Sequence, residues 1–569
     1  MSQFKKSGIL LLGFPLSALL LSLIQPPYAW HGLAWICLVP FLLACYNSTI
    51  PIRFLYGTAY ITAVCYWLLA LHWLNPITRP GWIVFSMYTA LLWPITTLVI
   101  RYCIKKRVPL FIISAMVFVG AERLQGWPLG GFFWRLLAHS QYQNSHWIQI
   151  ADIFGAFGVS FLIALINGII AEFIINFWNK RLFTIRNLLI LLFGIISLAA
   201  TWLYGSWRIN QTTTSVYEGP KIAAIQSNVP QSVKDSTGQS DVMFDELLGM
   251  SEEAIDAGAQ VIVWPETMVQ YILDESIQGR LTTKYQEACS RIHQALSDHA
   301  QKKAYVVIGA YGGRIRQGPT GEELAKYNSV YIYGPDGRIS PKRYDKIHLL
   351  VFGEYMPFRQ SWPWLFRQLL KCSPYDYDYS LYPGTYYTRF NIDILSDQEK
   401  KPFQFGTIIC YEDTLPGIAR NYAQTNGDTK KADWLVNISN DGWFVRFENQ
   451  QVKPSAELSQ HVAACVFRSI ETRLSILRCV NTGISCVIDS CGRLHNSYET
   501  SSTGFPQQVM RRQGIAGWFS DRMPIDTRTS FFSKHGQWLD STCAIGLGVL
   551  TILSLYQGIR TKKRAKSEP

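Results

Sequence analysis

Val261-Ile262-Val263-Trp264-Pro265-Glu266 is a run of β-branched and aromatic residues that ends on a proline and presents a carboxylate. Proline cannot donate to a strand ladder, so the run reads as a short buried strand with Glu266 just beyond its end. Gly406-Thr407-Ile408-Ile409-Cys410 repeats the arrangement with a thiol, and Arg343-Tyr344-Asp345-Lys346 delivers an ammonium. Side chains at strand ends can leave the sheet and meet in one crevice. Taken singly, each has an ordinary reading: Cys410 as a small buried filler, Glu266 as a helix cap or ion-pair carboxylate, Lys346 as a solvated cation. Together they supply what acyl transfer needs without a histidine, namely a nucleophile, a base that makes it a thiolate, and a cation beside the oxyanion.

Outward from these ends, similar short runs recur at 221–226, 260–264, 304–309, 329–333, 405–410, 434–439 and 484–488. Helical patterns with apolar residues three and four apart lie between some of them, at 241–257 and 281–303. Strands alternating with helices predict a layered α/β domain.

The chain before this domain has a different chemistry. The full 569 residues carry 53 Lys and Arg against 40 Asp and Glu, net +13, but the first 205 hold only 13 of the basic and 3 of the acidic groups. A water-soluble fold is excluded there. The last twelve residues hold 5 basic and 1 acidic group, which leaves 35 and 36 for residues 206–557. The basicity therefore belongs to the membrane part, and a nucleic-acid-binding face is excluded.

Seven apolar runs long enough for membrane helices are expected near 8–24, 30–46, 54–74, 82–103, 108–122, 150–178 and 187–207, and an eighth at 541–558. With the N terminus inside, the cytoplasmic segments hold Lys5, Lys6, Arg53, Arg101, Lys105, Lys106, Arg107, Lys180, Arg181 and Arg186. The short outside loops hold only Arg79, Arg123 and Arg135, as the excess of cytoplasmic Lys and Arg requires. The expected organisation is a seven-helix membrane domain over 1–207, an extracytoplasmic domain over 208–540, a final span over 541–558 and a basic cytoplasmic tail over 559–569. No small-residue cleavage pattern follows Lys5 and Lys6 cleanly, so the first run reads as an uncleaved anchor. The aromatic segment 125–146, with Gly130 and Gly131, is expected as an aromatic belt at headgroup level. Glu172 requires water, a partner or a cavity, and Glu122 is expected to reach the interface.

Trp264-Pro265-Glu266, Lys346 with Phe352-Gly353-Glu354-Tyr355, and Cys410-Tyr411-Glu412 resemble the Glu-Lys-Cys signature of the nitrilase superfamily. With the membrane helices before and after, the chain resembles the apolipoprotein N-acyltransferases of that superfamily. Further matches are Gln226-Ser227-Asn228-Val229-Pro230-Gln231, Asn437-Ile438-Ser439-Asn440-Asp441-Gly442-Trp443-Phe444, His461 with Arg468 and Glu471, and Arg478 with Asn481-Thr482-Gly483-Ile484-Ser485. Val351 stands where the family has proline and Val445 where it has glycine; loops 360–384 and 446–455 would border the cleft and bear on substrate preference.

The resemblance implies a polytopic α-helical membrane domain of about eight transmembrane helices, with an α/β nitrilase-like domain built as a four-layer αββα sandwich. It implies a bacterial inner-membrane, multi-pass enzyme, a monomer, with its catalytic domain on the periplasmic side. The acyl donor would be a phospholipid and the acceptor the diacylglyceryl-cysteine of an apolipoprotein, with a thioester on Cys410 and with no cofactor, metal or nucleic acid. Glu266 would be the base, Lys346 the oxyanion partner, and Glu354 would orient Lys346 or position substrate. Trp264, Tyr411, Glu412, Asn440 and Trp443 are supporting or substrate-binding candidates, and His461 caps a helix or touches substrate.

Among the other cysteines, Cys289, Cys372, Cys465, Cys479, Cys486 and Cys491 leave the disulfide pattern open, with several expected buried and free. No Cys-x-x-Cys pair or His-Glu-x-x-His helix occurs, so a zinc site has no support. Two rival readings stand: a membrane-tethered nitrilase-type amidase, and a transporter or receptor with a non-catalytic outer domain. The second suffers from the few intramembrane ionisable groups and the absence of an inverted repeat.

Overall fold

In the strand Val216–Gln226, Ile222 and Ala224 pack into one apolar cluster and Ala223 and Ile225 into another, the period of two of a pleated strand. A strand buried on both faces needs cover on both, and that requirement sets the architecture. The computed structural model describes residues 11–567 except 47–49, 128–130, 235–238, 319–320, 372, 374–376, 397–398, 427–428, 450, 498 and 502–503. Lys5, Lys6, Gly130 and Cys372 lie outside the described residues, as do the side chains beyond Arg560.

The chain divides into two compact units, one of residues 212–529 and one of residues 1–211 with 530–569. The first contains two large sheets. One runs in the order Glu499–Thr500, Gly517–Asp526, Val216–Gln226, Val261–Val263, Tyr305–Gly318, Gly321–Tyr333, Tyr344–Asp345, with Val269–Ile272 also beside Tyr305–Gly318. The other runs Leu494–His495, Cys486–Ile488, Ser475–Asn481, Trp434–Asn440, Glu399–Ile409, Arg389–Ser396. At the heart of each sheet three strands are parallel, so their C-terminal ends emerge on the same side.

The sheets pack face to face through a core that joins Val261, Val263 and Val307 to Phe405, Trp434, Val436 and Leu477. Cys479 stitches them, its Sγ 3.3 Å from Ile225 O and 3.1 Å from Val263 O in the facing sheet. On the outer face of the first sheet, Ile262, Trp264 and Val306 meet Leu247 from helix Gln239–Asp256 and Leu296 from helix Thr283–Ala300. On the second, Tyr422 of helix Pro416–Ala423 donates to Thr407 O at 3.0 Å, and helix Ala456–Thr472 is buried along its whole length. These are the four layers of an αββα sandwich.

The other unit is helical. Ile52–Ala70, Arg79–Lys105, Ala156–Trp178, Ile185–Ser215 and Trp538–Arg560 are long and apolar enough to cross a membrane, and Gly13–Leu23 and His31–Tyr46 are shorter apolar segments. Among the expected runs, 30–46 divides into the turn His31–Trp35 and the helix Val39–Tyr46, 82–103 is stepped at Leu91 between Arg79–Ala90 and Leu92–Lys105, and 150–178 is cut at Gly155, where φ is +68°. The run at 108–122 becomes Leu110–Gln125, whose backbone lies close to two neighbours because glycines permit it. A Cβ on Gly120 would stand 2.6 Å from Cys543 O, and one on Gly168 would stand 2.5 Å from Phe111 Cα.

The aromatic segment departs from expectation. Instead of lying as a surface belt, Phe133, Trp134 and Tyr142 are buried in the helical unit, while Trp127 is exposed. Burial is tolerated because side chains satisfy its backbone: Gln125 Nε2 donates to Trp134 O at 3.0 Å and Gln25 Nε2 to Leu136 O at 2.9 Å. Glu122 accepts from Leu137 N at 2.6 Å instead of reaching out of the span, and Glu172 has its partner in Arg186 at 2.6 Å. The eleven described cysteines are all free.

Trp434 is 1% exposed and stacks on Phe405 between the sheets, centroids 5.4 Å apart. Trp434→Ala is expected to cost about 3–5 kcal/mol, read as a lowered denaturation midpoint of the purified protein.

Candidate active site

The two handover points of the sequence are both strained. Cys410, immediately after Glu399–Ile409, has φ +52°, and Thr267, immediately after Glu266, has φ +50°. Non-glycine residues seldom occupy this region, and they stay there only where the surroundings hold them. Here the holding groups are hydrogen bonds. Lys234 Nζ donates to Thr267 Oγ1 at 2.7 Å, and Glu412 accepts from Ile409 N at 2.7 Å, one residue before the thiol.

Glu266, 6% exposed, is fixed through both carboxylate oxygens. Oε1 accepts from Asn328 Nδ2 at 2.6 Å and Oε2 from Asn440 N at 2.8 Å. Lys346, 1% exposed, places Nζ 2.8 Å from Glu354 Oε2 and 3.5 Å from Glu266 Oε1. Asn328 bridges the two carboxylates by a second bond to Glu354 Oε1 at 3.0 Å, and Leu350 N donates to Glu354 Oε2 at 2.8 Å. Glu266, Lys346 and Glu354 thus form one cluster. Burial works against the Lys346 charge, but Glu354, Glu266 and Cys410 outweigh it and hold the ammonium well above its ordinary range. Burial, and then the charge of Glu266, push the Cys410 thiol up to about 12 against the opposing pull of Lys346 and His461. The thiol therefore rests protonated beside a base and a permanent cation.

The remaining candidates separate by position. Trp443 is 37% exposed, Tyr411 7% and Trp264 0%, so of these three aromatics Trp443 is open to a substrate. Trp264 turns to the helix layer, where Nε1 donates to Ser251 Oγ at 2.7 Å. Tyr411 stacks on His348. Asn440 lends its backbone to Glu266 and its side chain to Gln231 at 2.8 Å. Glu412 is fully buried and accepts from Tyr344 Oη at 2.8 Å, Ile347 N at 2.8 Å and His348 N at 3.0 Å, which ties the lysine segment to the nucleophile strand.

His461 joins a buried charge network and is not a cap. Its Nε2 is 2.8 Å from Asp413 Oδ1, and its Nδ1 is 3.2 Å from Glu457 and 3.3 Å from Asp441. Arg478 meets Asp413 at 2.5 Å and Asp441 at 3.0 Å, and reaches Asn437 Oδ1 at 3.0 Å. Burial and Arg478 disfavour the imidazolium, yet Asp413 and Asp441 raise His461 well above its ordinary value. Asp441, Glu457 and His461 bring three ligand-type atoms within 4.8 Å of one another. With the imidazolium and Arg478 already supplying positive charge, the set fits an ion-pair network and not a metal ion.

Sequence reasoning missed Asn328 and Lys234. The signal for Asn328 was the polar pair Asn328-Ser329 inside the otherwise apolar and aromatic run 327–333; Lys234 offered none.

The family model described as Apolipoprotein N-acyltransferase N-terminal domain matches residues 17–169, and Carbon-nitrogen hydrolase matches residues 221–504. The apolipoprotein N-acyltransferase of Geobacter metallireducens is 28% identical over 558 residues, 95% of this chain and 94% of that protein. That of Chlorobaculum tepidum is 25% identical, covering 96% of each. The chain belongs to the apolipoprotein N-acyltransferase family. A solved amidase from Nesterenkonia sp. overlays at a TM-score of 0.31 and 15% identity, covering 55% of this chain and 92% of that one. So low a score leaves the fold to be read from the strands described above.

Three outcomes are expected of this family member. Cys410 will react slowly with a neutral alkylating reagent at pH 7, its rate still rising beyond pH 10, because burial and Glu266 raise the thiol to about 12. Glu266→Gln should move that rise to lower pH, since it removes the charge that opposes the thiolate. His461→Leu should cost about 3–5 kcal/mol in denaturant unfolding, because it strips a partner from fully buried carboxylates.

Proposed function

We infer that the chain is an N-acyltransferase that moves a fatty acyl group from a phospholipid, through a Cys410 thioester, to the α-amino group of the diacylglyceryl-cysteine at an apolipoprotein N terminus. The observation that carries this reading is the Glu266–Lys346 pair acting by charge on the half-buried Cys410 thiol, in a family whose named members are apolipoprotein N-acyltransferases.

In the first half-reaction Glu266 takes the thiol proton and the thiolate attacks the ester carbonyl. The tetrahedral oxyanion develops beside Lys346, whose charge is already in place and needs no reorganisation. The carbon–oxygen bond breaks, Glu266 returns its proton to the departing alkoxide, and a lysophospholipid leaves with the acyl group on Cys410. In the second, the neutral α-amine attacks the thioester, Glu266 removes the amine proton, the carbon–sulfur bond breaks, and Glu266 hands that proton to the departing thiolate to regenerate the thiol. An amide is more stable than a thioester, so this step runs downhill. Glu354 acts on Lys346 by charge, and Trp443 lies open beside Asn440 and contacts substrate.

Both substrates are lipids, which gives the apolar helices a purpose. The chain is a membrane protein; the reading places it in the bacterial inner membrane as a multi-pass monomer with residues 208–540 on the periplasmic side.

Incubation of purified protein with a phospholipid in detergent should give an acyl adduct by intact mass, mapped to Cys410 and released by neutral hydroxylamine. Cys410→Ala should give none, and cells carrying it should accumulate diacyl lipoprotein. Free fatty acid without amide product would point to hydrolysis by water, and a harmless Cys410→Ala would sink the enzyme reading.

A further inference from the structure

A concave site of about 640 Å³ in the catalytic unit is lined by none of Glu266, Lys346, Glu354 or Cys410. Its size falls in the range of small-molecule sites. Arg314, Lys342, Arg343 and Arg389 bring four cations to it, and Asp274 is the one carboxylate in its lining.

These charges do not cancel. Arg343 is ion-paired to Asp274, and its Nε is 2.7 Å from Asp345 Oδ1 behind it. Arg314 shares Asp345 at 3.3 Å. Those four groups sum to zero. Lys342 and Arg389 have no carboxylate within ion-pair distance among the described residues, so the site keeps two unmatched positive charges. Arg343 adds a directional demand. Its side chain is 8% exposed, Nε and Nη1 are occupied, and Nη2 is buried without an acceptor. A buried guanidinium donor without an acceptor is unfavourable, and a phosphate oxygen is the acceptor that guanidinium geometry matches best. The exposed phenols of Tyr386 and Tyr387 stand in the same lining as further donors.

The geometry points to an anion subsite that takes a phosphate group between Lys342, Arg343 and Arg389. Two sources share that chemistry, the headgroup phosphate of a phospholipid and free phosphate. The lipid source rests on the acyl-transfer reading above; the free source does not.

The test uses the full chain in detergent, wild type and Lys342→Gln/Arg389→Gln, which leaves the Arg343 ion pairs in place. Thermal unfolding is followed against inorganic phosphate at constant ionic strength, and KM for a phospholipid donor is measured in mixed micelles. Phosphate should raise the wild-type midpoint and not that of the double variant, by mass action on the folded state. A donor KM raised about tenfold with kcat unchanged then assigns the headgroup; an unchanged KM assigns free phosphate. Arg389→Lys, which keeps the charge, should restore part of the effect. Equal protection of wild type and variant, or no protection together with an unchanged KM, overturns the subsite. Adduct formation at Cys410 from a water-soluble activated ester without phosphate should be normal in the variant. Loss of the subsite is thereby distinguished from loss of the acyl-transfer reading, in which that adduct would be missing from wild type.

Discussion

A lysine ammonium at 1% exposure persists only if opposite charge is brought to it, and at Lys346 that charge comes from Glu354 at 2.8 Å and Glu266 at 3.5 Å. Much else follows from this pairing. The carboxylates must themselves be held, and they are held by Asn328, Leu350 N and Asn440 N. Asn328 belongs to one sheet and Asn440 to the other, so Glu266 is fixed only when both sheets are present and in register. The face-to-face sandwich is the condition for a rigid base next to a buried cation.

A second tier of charge lies under the nucleophile. Glu412 gathers donors from Tyr344, Ile347, His348 and Ile409, while His461, Asp413, Arg478, Asp441 and Glu457 share their charges in full burial. Removing any one member exposes the others to desolvation, so the network fixes geometry more than it adds stability. The held elbow at Cys410 and the neutral resting state of its thiol are the two results that the chemistry uses. A thiol held so far above its ordinary value is guarded against stray electrophiles at neutral pH.

Much of this was legible in the chain itself. The runs at 221–226, 260–264, 304–309, 329–333, 405–410, 434–439 and 484–488 each overlap an observed strand, with ends off by one or two residues at 260–264, 304–309, 405–410 and 484–488. Strands Arg389–Ser396 and Gly517–Asp526 escaped notice: charged and polar residues interrupt their apolar pattern, and pairing with a neighbour, not composition, makes them strands. Trp264 was a supporting or substrate-binding candidate, but period two puts it with Ile262 on the helix side of the sheet, opposite Val263. His461 read as a cap or a substrate contact because a network drawn from four distant segments leaves no local signal. The buried aromatic segment misled for a related reason, since Gln25 and Gln125, which let it bury its backbone, lie outside any pattern that hydropathy reports.

The close approach of Leu110–Gln125 to the C-terminal helix at Gly120 also constrains how the protein is made. That contact lies within the helical unit, yet its two partners are separated in sequence by the entire catalytic unit. The helix bundle stays missing one wall until the 30-residue helix Trp538–Ser567 has left the ribosome. The sandwich must therefore fold as an insert with both of its ends tethered, and a chain that stops short of Trp538 would contain Glu266, Lys346 and Cys410 but leave the glycine face of Leu110–Gln125 bare.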